Sequence, residues 1–157
     1  MLKSRRKFIK ALLSISVYGL TMAGSILQST MAQTPWLKEN FSTGSFDQTM
    51  RRLFGVGDII DSNKIKISRL PRVAENGAIV PITISSTLEH VEKISILVEQ
   101  NPSPLSAEFF LSPALAVHVS ARLKMAKTSN VVIIVQSAGK YYRTSRLVKV
   151  TTGGCGA

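Results

Sequence analysis

Apolar residues recur with two different periods along this chain, one helical and one typical of strands. Around residue 50 they return every three or four positions, which places them on one face of a helix. These residues are Phe46, Met50, Leu53 and Phe54. Ser45 and Gln48 have the spacing of a capping box, and Gly55 can end the helix. The pattern predicts a short amphipathic helix that packs on a core.

After the helix, apolar residues alternate with polar ones or form short apolar runs, as in β-strands. The predicted strands cover residues 65–67, 79–84, 91–98, 107–111, 117–124, 131–135 and 140–150. Pro81 cannot donate to a strand ladder, so we expect an edge position or a bulge there. Residues 131–135 are apolar throughout, which favours a central strand. About seven short strands separated by turns predict an all-β fold, an antiparallel β-sandwich.

The first 32 residues have the pattern of an export signal. Arg5 and Arg6 form a twin-arginine motif, a mildly apolar run covers 11–27, and small residues suited to a signal peptidase follow at 30–32. A membrane anchor is the alternative, but the run is too short and too rich in serine to span a bilayer. The interpretation is a signal peptide over 1–32, a sandwich domain over 33–150 and a C-terminal arm over 151–157. Export by the twin-arginine pathway would place the protein in the periplasm, without a stable membrane anchor.

Charge is distributed unevenly once the leader is set aside. The whole chain has a formal charge of +11, five of its basic residues lie in the leader, and +6 remains. Residues 109–157 contain seven basic residues and no acidic one. The compartment and the absence of a basic run with interleaved aromatic residues argue against nucleic acid as a partner. Anionic small molecules or acidic protein surfaces fit better, and a solvated basic face is the alternative.

The sequence contains no pattern of an active site upstream of the arm. His90 and His118 have no further ligands at metal spacing, and the nine carboxylates form no pair suited to acid–base catalysis. Cys155 is the only cysteine, so neither an internal disulfide nor a dithiol site can form. We therefore predict no catalytic residue, no metal and no cofactor.

The C-terminal arm holds the one reactive group. Gly153, Gly154 and Gly156 surround Cys155, and glycines on both sides predict an accessible thiol on a flexible segment. An exported structural or adhesive β-sandwich could instead use this cysteine for an intermolecular disulfide. A third hypothesis is a thiol enzyme that acts alone. The sequence next to Cys155 contains no base to activate the thiol, which disfavours this hypothesis. Prenylation is excluded because Cys155 is third from the end, not fourth.

The ending, residues 149–157, resembles the SoxY family, the sulfur-carrier subunits of the periplasmic Sox thiosulfate-oxidation system. Residues 74–82 and 98–105 are also similar to that family, and the twin-arginine leader agrees with it. One departure is Ala157, where the family commonly has a last glycine. Alanine is small enough that we expect little effect.

The resemblance implies an immunoglobulin-like sandwich and a role for Cys155 as a covalent attachment site. Thiosulfate-derived sulfur species would be joined to its thiol and presented to other periplasmic Sox enzymes. The resemblance also implies a heterodimer with a SoxZ-like subunit, exported together with this chain. The protein would then be a carrier that catalyses nothing by itself.

Overall fold

The computed structural model describes residues 38–112 and 115–152. The twin-arginine motif with Arg5 and Arg6 lies outside the described residues, as do Cys155 and the three glycines around it. Within the described part of the chain, no helix has the length and apolarity that crossing a membrane requires.

The predicted helix is present, and it begins at the capping box and ends at the glycine that the sequence indicated. A 3-10 turn over Lys38–Phe41 precedes α1, which covers Phe46–Phe54. The backbone N–H of Gln48 donates to Ser45 Oγ at 3.2 Å, and the N–H of Ser45 donates to Gln48 Oε1 at 3.3 Å. Gly55 follows with φ of 69°, a conformation that glycine adopts at little cost. The capping box and the glycine stop are therefore confirmed.

Nine strands form two sheets within the described residues. They are β1 (Ile59–Asp61), β2 (Ile65–Ser68), β3 (Val73–Asn76), β4 (Val80–Ser86), β5 (Val91–Val98), β6 (Leu105–Phe110), β7 (His118–Leu123), β8 (Ser129–Ser137) and β9 (Lys140–Thr152). The larger sheet has the order β1-β9-β8-β5-β6, with β3 also paired to β9, and the smaller has the order β2-β4-β7. The predicted all-β, immunoglobulin-like sandwich is confirmed.

The core lies between the two sheets and is made of aliphatic side chains. Ile82 and Ile84 of β4 face Ile94 and Ile96 of β5 and Ile133 of β8, all at most 1% exposed. Each such burial stabilises the fold by roughly 1.5–3 kcal/mol. β8 lies between β5 and β9, so the prediction that 131–135 form a central strand is confirmed.

α1 covers the other face of the larger sheet, which explains why β5 and β8 are apolar on both faces. Phe54 packs with Leu97, Val132 and Ile134 in a second cluster. Its ring meets that of Tyr141 edge-on, with centroids 5.3 Å apart. β8 thus packs against the opposite sheet on one side and against the helix on the other.

Two features of the sheets differ from the prediction. β1 and β3 were not expected, and both pair with β9 in parallel rather than antiparallel. Pro81 lies in β4, the middle strand of the smaller sheet, and pairs with Arg122 of β7 in regular register, so the prediction of an edge position or a bulge is wrong. On its β2 side, however, Pro81 has no neighbouring strand among the described residues, because β2 pairs only with Thr83–Ser86 and ends before it reaches Pro81. On that side the missing N–H of proline breaks no ladder.

Candidate functional site: the root of the C-terminal arm

The described part of the candidate site is the place where the C-terminal arm leaves the sandwich. β9 continues to Thr152, so Thr151 and Thr152, assigned to the arm from the sequence, are strand residues. Only Gly153 and Gly154 separate this strand end from Cys155. We call the end of β9, residues 150–152, together with the groups that hold it, the arm root.

β3 extends β9 by providing a parallel partner where the pairing with β8 stops. The last residue of β9 paired with β8 is Val148, whereas Asn76 of β3 lies beside Thr152. The backbone N–H of Gly77 donates to the carbonyl of Thr152 at 2.8 Å. The strand therefore stays ordered by backbone pairing two residues further than the glycine-rich composition of the tail suggested.

Two threonine side chains add hydrogen bonds at the arm root. The Thr128 hydroxyl makes two hydrogen bonds with Val150. Its Oγ1 accepts from the backbone N–H of Val150 at 3.0 Å and donates to the carbonyl of Val150 at 3.4 Å. This hydroxyl takes the place of a backbone partner just before β8 begins. On the β3 side, Thr151 Oγ1 donates to the carbonyl of Glu75 at 2.9 Å. The end of β9 is thus held on both of its edges.

The arm root is also tied to the smaller sheet. The N–H of Met125, which follows β7, donates to the carbonyl of Gly77 at 2.7 Å. The Met125 side chain is fully buried in the core between the sheets. Gly77 therefore links the last residue of β9 to the end of β7, and both sheets position the start of the arm.

The described side chains near the arm root are mostly basic or hydroxylic. Lys127 and Lys149 are exposed, and Glu75 is the carboxylate on β3. Both histidines lie toward the opposite end of the sandwich. His118 is paired with Ser85 at the far end of β7, and the His90 carbonyl accepts from Ala138 in the β8–β9 turn. No imidazole from the described residues is therefore placed beside the start of the arm.

Shifted pKa values belong to an ion pair far from the arm root. Arg143 Nε donates to Asp61 Oδ1 at 2.7 Å. This hydrogen bond and the positive charge of Arg143 lower the pKa of Asp61, and the same hydrogen bond raises the pKa of Arg143. The pair lies about 30 Å from Thr152 along β9, at roughly 3.3 Å per residue. It joins β1 to β9 and does not act on the thiol.

No group of three potential metal ligands occurs within 38–112 and 115–152. The residues that hold the arm root, namely Glu75, Gly77 and Thr128, were not predicted from the sequence. Their contribution comes from backbone groups and one hydroxyl, which leave no periodic signal. Asn76-Gly77 was visible as a turn dipeptide, but nothing local indicates that the strand before it pairs with the C-terminus.

Fold and arm root together define a class: a β-sandwich whose last strand runs into a C-terminal segment with one cysteine. Comparison with known proteins specifies it further. The family model for sulfur oxidation protein SoxY matches residues 50–155, a range that includes Cys155. The chain belongs to the SoxY family, as its sequence resemblance predicted.

A solved structure agrees with this assignment. The chain is 43% identical to the sulfur carrier protein SoxY from Chlorobium limicola f thiosulfatophilum, with a TM-score of 0.60. The match covers 67% of this chain and 94% of that one. Among curated proteins, no sequence matches the chain.

Proposed function

We propose that this protein is a periplasmic sulfur carrier of thiosulfate oxidation, which holds its cargo covalently on Cys155. Membership of a family of sulfur oxidation proteins and likeness to a SoxY described as a sulfur carrier support the role. The observation that carries the assignment to Cys155 is its position. The only thiol of the chain follows the anchored end of β9 after two glycines.

Loading of the carrier is an oxidation. The Cys155 thiol and thiosulfate form one S–S bond, which gives a cysteine S-thiosulfonate and releases one proton and two electrons. A partner redox enzyme takes the electrons. In a second partner, water attacks the sulfonate sulfur of the adduct and the bond between this sulfur and the sulfane sulfur breaks. Sulfate leaves with the water oxygen, two protons are released, and a persulfide anion remains on Cys155 for further oxidation. Thiolate is the reactive form at the loading step.

The arm root supports a carrier rather than an enzyme that acts alone. Nucleophilic catalysis by a thiol needs a base within hydrogen-bond reach, and both histidines lie toward the other end of the sandwich. The hydroxyls of Thr128 and Thr151 already bond to backbone groups. The described residues near the arm root thus position the arm, and the partner enzymes supply the chemistry.

Partners and compartment follow from the same proposal. The twin-arginine motif at Arg5 and Arg6 directs folded protein to the periplasm. The chain pairs there with a SoxZ-like subunit and meets the other Sox enzymes transiently. Export of the tagged chain together with a SoxZ-like protein tests the pairing: a leaderless SoxZ-like chain should reach the periplasm only when this chain is present.

A Cys155→Ser variant tests the proposed function against its alternative, an exported structural or adhesive sandwich with an intermolecular disulfide. We expect cells with this variant to lose thiosulfate oxidation while the folded protein persists in the periplasm. A variant that loses only a disulfide-linked dimer and still supports sulfur oxidation would favour the structural alternative.

A further inference from the structure

A cleft opens on the outer face of the smaller sheet because its strands end at different places. β2 ends at Ser68, whereas the middle strand β4 extends further, to Val80. The gap left beside Pro81 is an open cleft of about 520 Å³. Arg69, directly after β2, lies on one side of the middle strand, and Arg122 of β7 lies on the other.

The charge of this cleft is entirely positive. No carboxylate of the described residues lines it, and none of the acidic residues of the chain lies in β2, β4 or β7. Neither Arg69 nor Arg122 has a side-chain hydrogen bond or ion pair within residues 38–112 and 115–152. By contrast, Arg143 pairs with Asp61, and Arg146 donates to two backbone carbonyls. With respect to the part of the chain that the structure describes, the side-chain N–H groups of both cleft arginines are thus available to a ligand.

Two hydroxyls between the arginines complete the arrangement. Thr83 and Ser120 form a cross-strand pair, with their Oγ atoms 2.9 Å apart. Thr83 is 4% exposed, whereas Ser120 is open to solvent. When the buried Thr83 hydroxyl donates to Ser120, the Ser120 proton is free to donate to a molecule in the cleft. The cleft thus offers two guanidinium groups and one hydroxyl donor.

We propose that this cleft binds a small tetrahedral sulfur oxyanion group, as in sulfate and thiosulfate. Guanidinium groups bind oxyanions through paired N–H donors, and a ligand with several equivalent oxygens can accept from both arginines and from Ser120. The choice of sulfur oxyanions rests on the proposed function; oxyanion binding itself rests on the cleft.

The position of the cleft relates it to the arm root. Pro81 and Arg122 face each other in the sheet, next to the Val80–Leu123 pair at its end. The link from Met125 through Gly77 to Thr152 starts just beyond that end. The oxyanion therefore has two possible sources with one chemistry: a free ion, or the terminal sulfonate group of an adduct carried on Cys155.

The test is titration of the Cys155→Ser protein with sodium sulfate at constant ionic strength, followed by NMR of the arginine side-chain N–H groups. We expect saturable shifts at Arg69 and Arg122. Arg122→Gln should weaken binding at least tenfold. Arg69 has φ of 54°, so Arg69→Asn is the matching variant, since asparagine tolerates that conformation best among non-glycine residues. Lys140→Gln, which removes one exposed charge outside the cleft, should leave binding unchanged.

Shifts that never saturate, or equal weakening by all three substitutions, would overturn the proposal, because either result means general charge attraction. A second titration, with the Cys155 protein loaded from tetrathionate, separates the two sources. The Cys155 thiolate attacks an inner sulfur of tetrathionate, forms the cysteine S-thiosulfonate and releases thiosulfate, and thioredoxin removes the adduct again as a control. Loss of sulfate binding on loading identifies the adduct as the occupant, and undiminished binding identifies a free ion. Because the titration uses a chain without the thiol, its outcome is independent of whether Cys155 carries sulfur.

Discussion

Deleting Gly153 and Gly154 tests whether the anchored end of β9 fixes how far the thiol can reach. In the wild-type chain Cys155 is three residues beyond Thr152, a span of at most about 10–11 Å at 3.3–3.6 Å per residue. The deletion leaves one residue and about 3.5 Å. The loss of about 7 Å is large compared with the displacement of about 1 Å that can cost 100-fold in a positioned reaction.

We therefore expect loading by thiosulfate and the partner Sox enzymes to fall about 100-fold or more. The assay is the rate of adduct formation, followed by mass spectrometry of the intact chain. Gly153→Ser combined with Gly154→Ser is the matched control, since it keeps the length and should keep most of the rate. Alkylation by iodoacetamide, which needs no deep site, should be similar in all three proteins. If the deletion variant forms the adduct at the wild-type rate, the length of the arm does not limit loading.

Two further predictions concern the scaffold. Ile133→Ala and Ile134→Ala change opposite faces of β8, and each should lower the free energy of unfolding, measured in urea, by about 2–5 kcal/mol. The reason is that the opposite sheet covers one face and α1 covers the other. If Ile134→Ala lowers this free energy as little as the exposed control Leu147→Ala, α1 does not cover this face. NMR titration should give Asp61 a pKa below 3.8, with a return toward that value in Arg143→Gln. The pKa of Asp61 is lower in the folded protein than in the unfolded one. The ion pair therefore stabilises the fold at pH values above the unfolded pKa, and this stabilisation is lost as the pH falls through the folded pKa. An unshifted Asp61 pKa in the wild-type protein would contradict the ion pair.

The parts of the fold that could be predicted from the sequence are those with local causes. The capping box of Ser45 and Gln48 and the glycine after Phe54 set both ends of α1. The apolar run 131–135 identified the central strand because only a strand covered on both faces can be apolar throughout.

Other parts depend on contacts between distant segments. β1 and β3 are only three and four residues long, too short for an alternating pattern to stand out, and both exist by pairing with β9. Pro81 was expected at an edge or a bulge because proline lacks an N–H. The smaller sheet accommodates it in the middle strand, since the neighbouring β2 is shorter on that side.

For the candidate site, the sequence identified the thiol and missed its support. Composition alone distinguishes Cys155, because no other cysteine occurs and glycines surround it. The arm root could not be predicted in the same way. Thr128 and Gly77 are separated from the end of β9 by more than twenty residues, and they act through one hydroxyl and one backbone N–H. These are contacts that any of several residue types could make.

Whether Cys155 carries sulfur in the cell can be measured by mass spectrometry of the protein isolated from the periplasm of cells growing on thiosulfate. We expect the C-terminal peptide to carry sulfur or sulfur–oxygen adducts on Cys155 that a thiol reductant removes. Protein from cells grown without thiosulfate should lack them. A peptide that contains only free thiol, or only a disulfide between two chains, in cells actively oxidising thiosulfate would contradict this expectation.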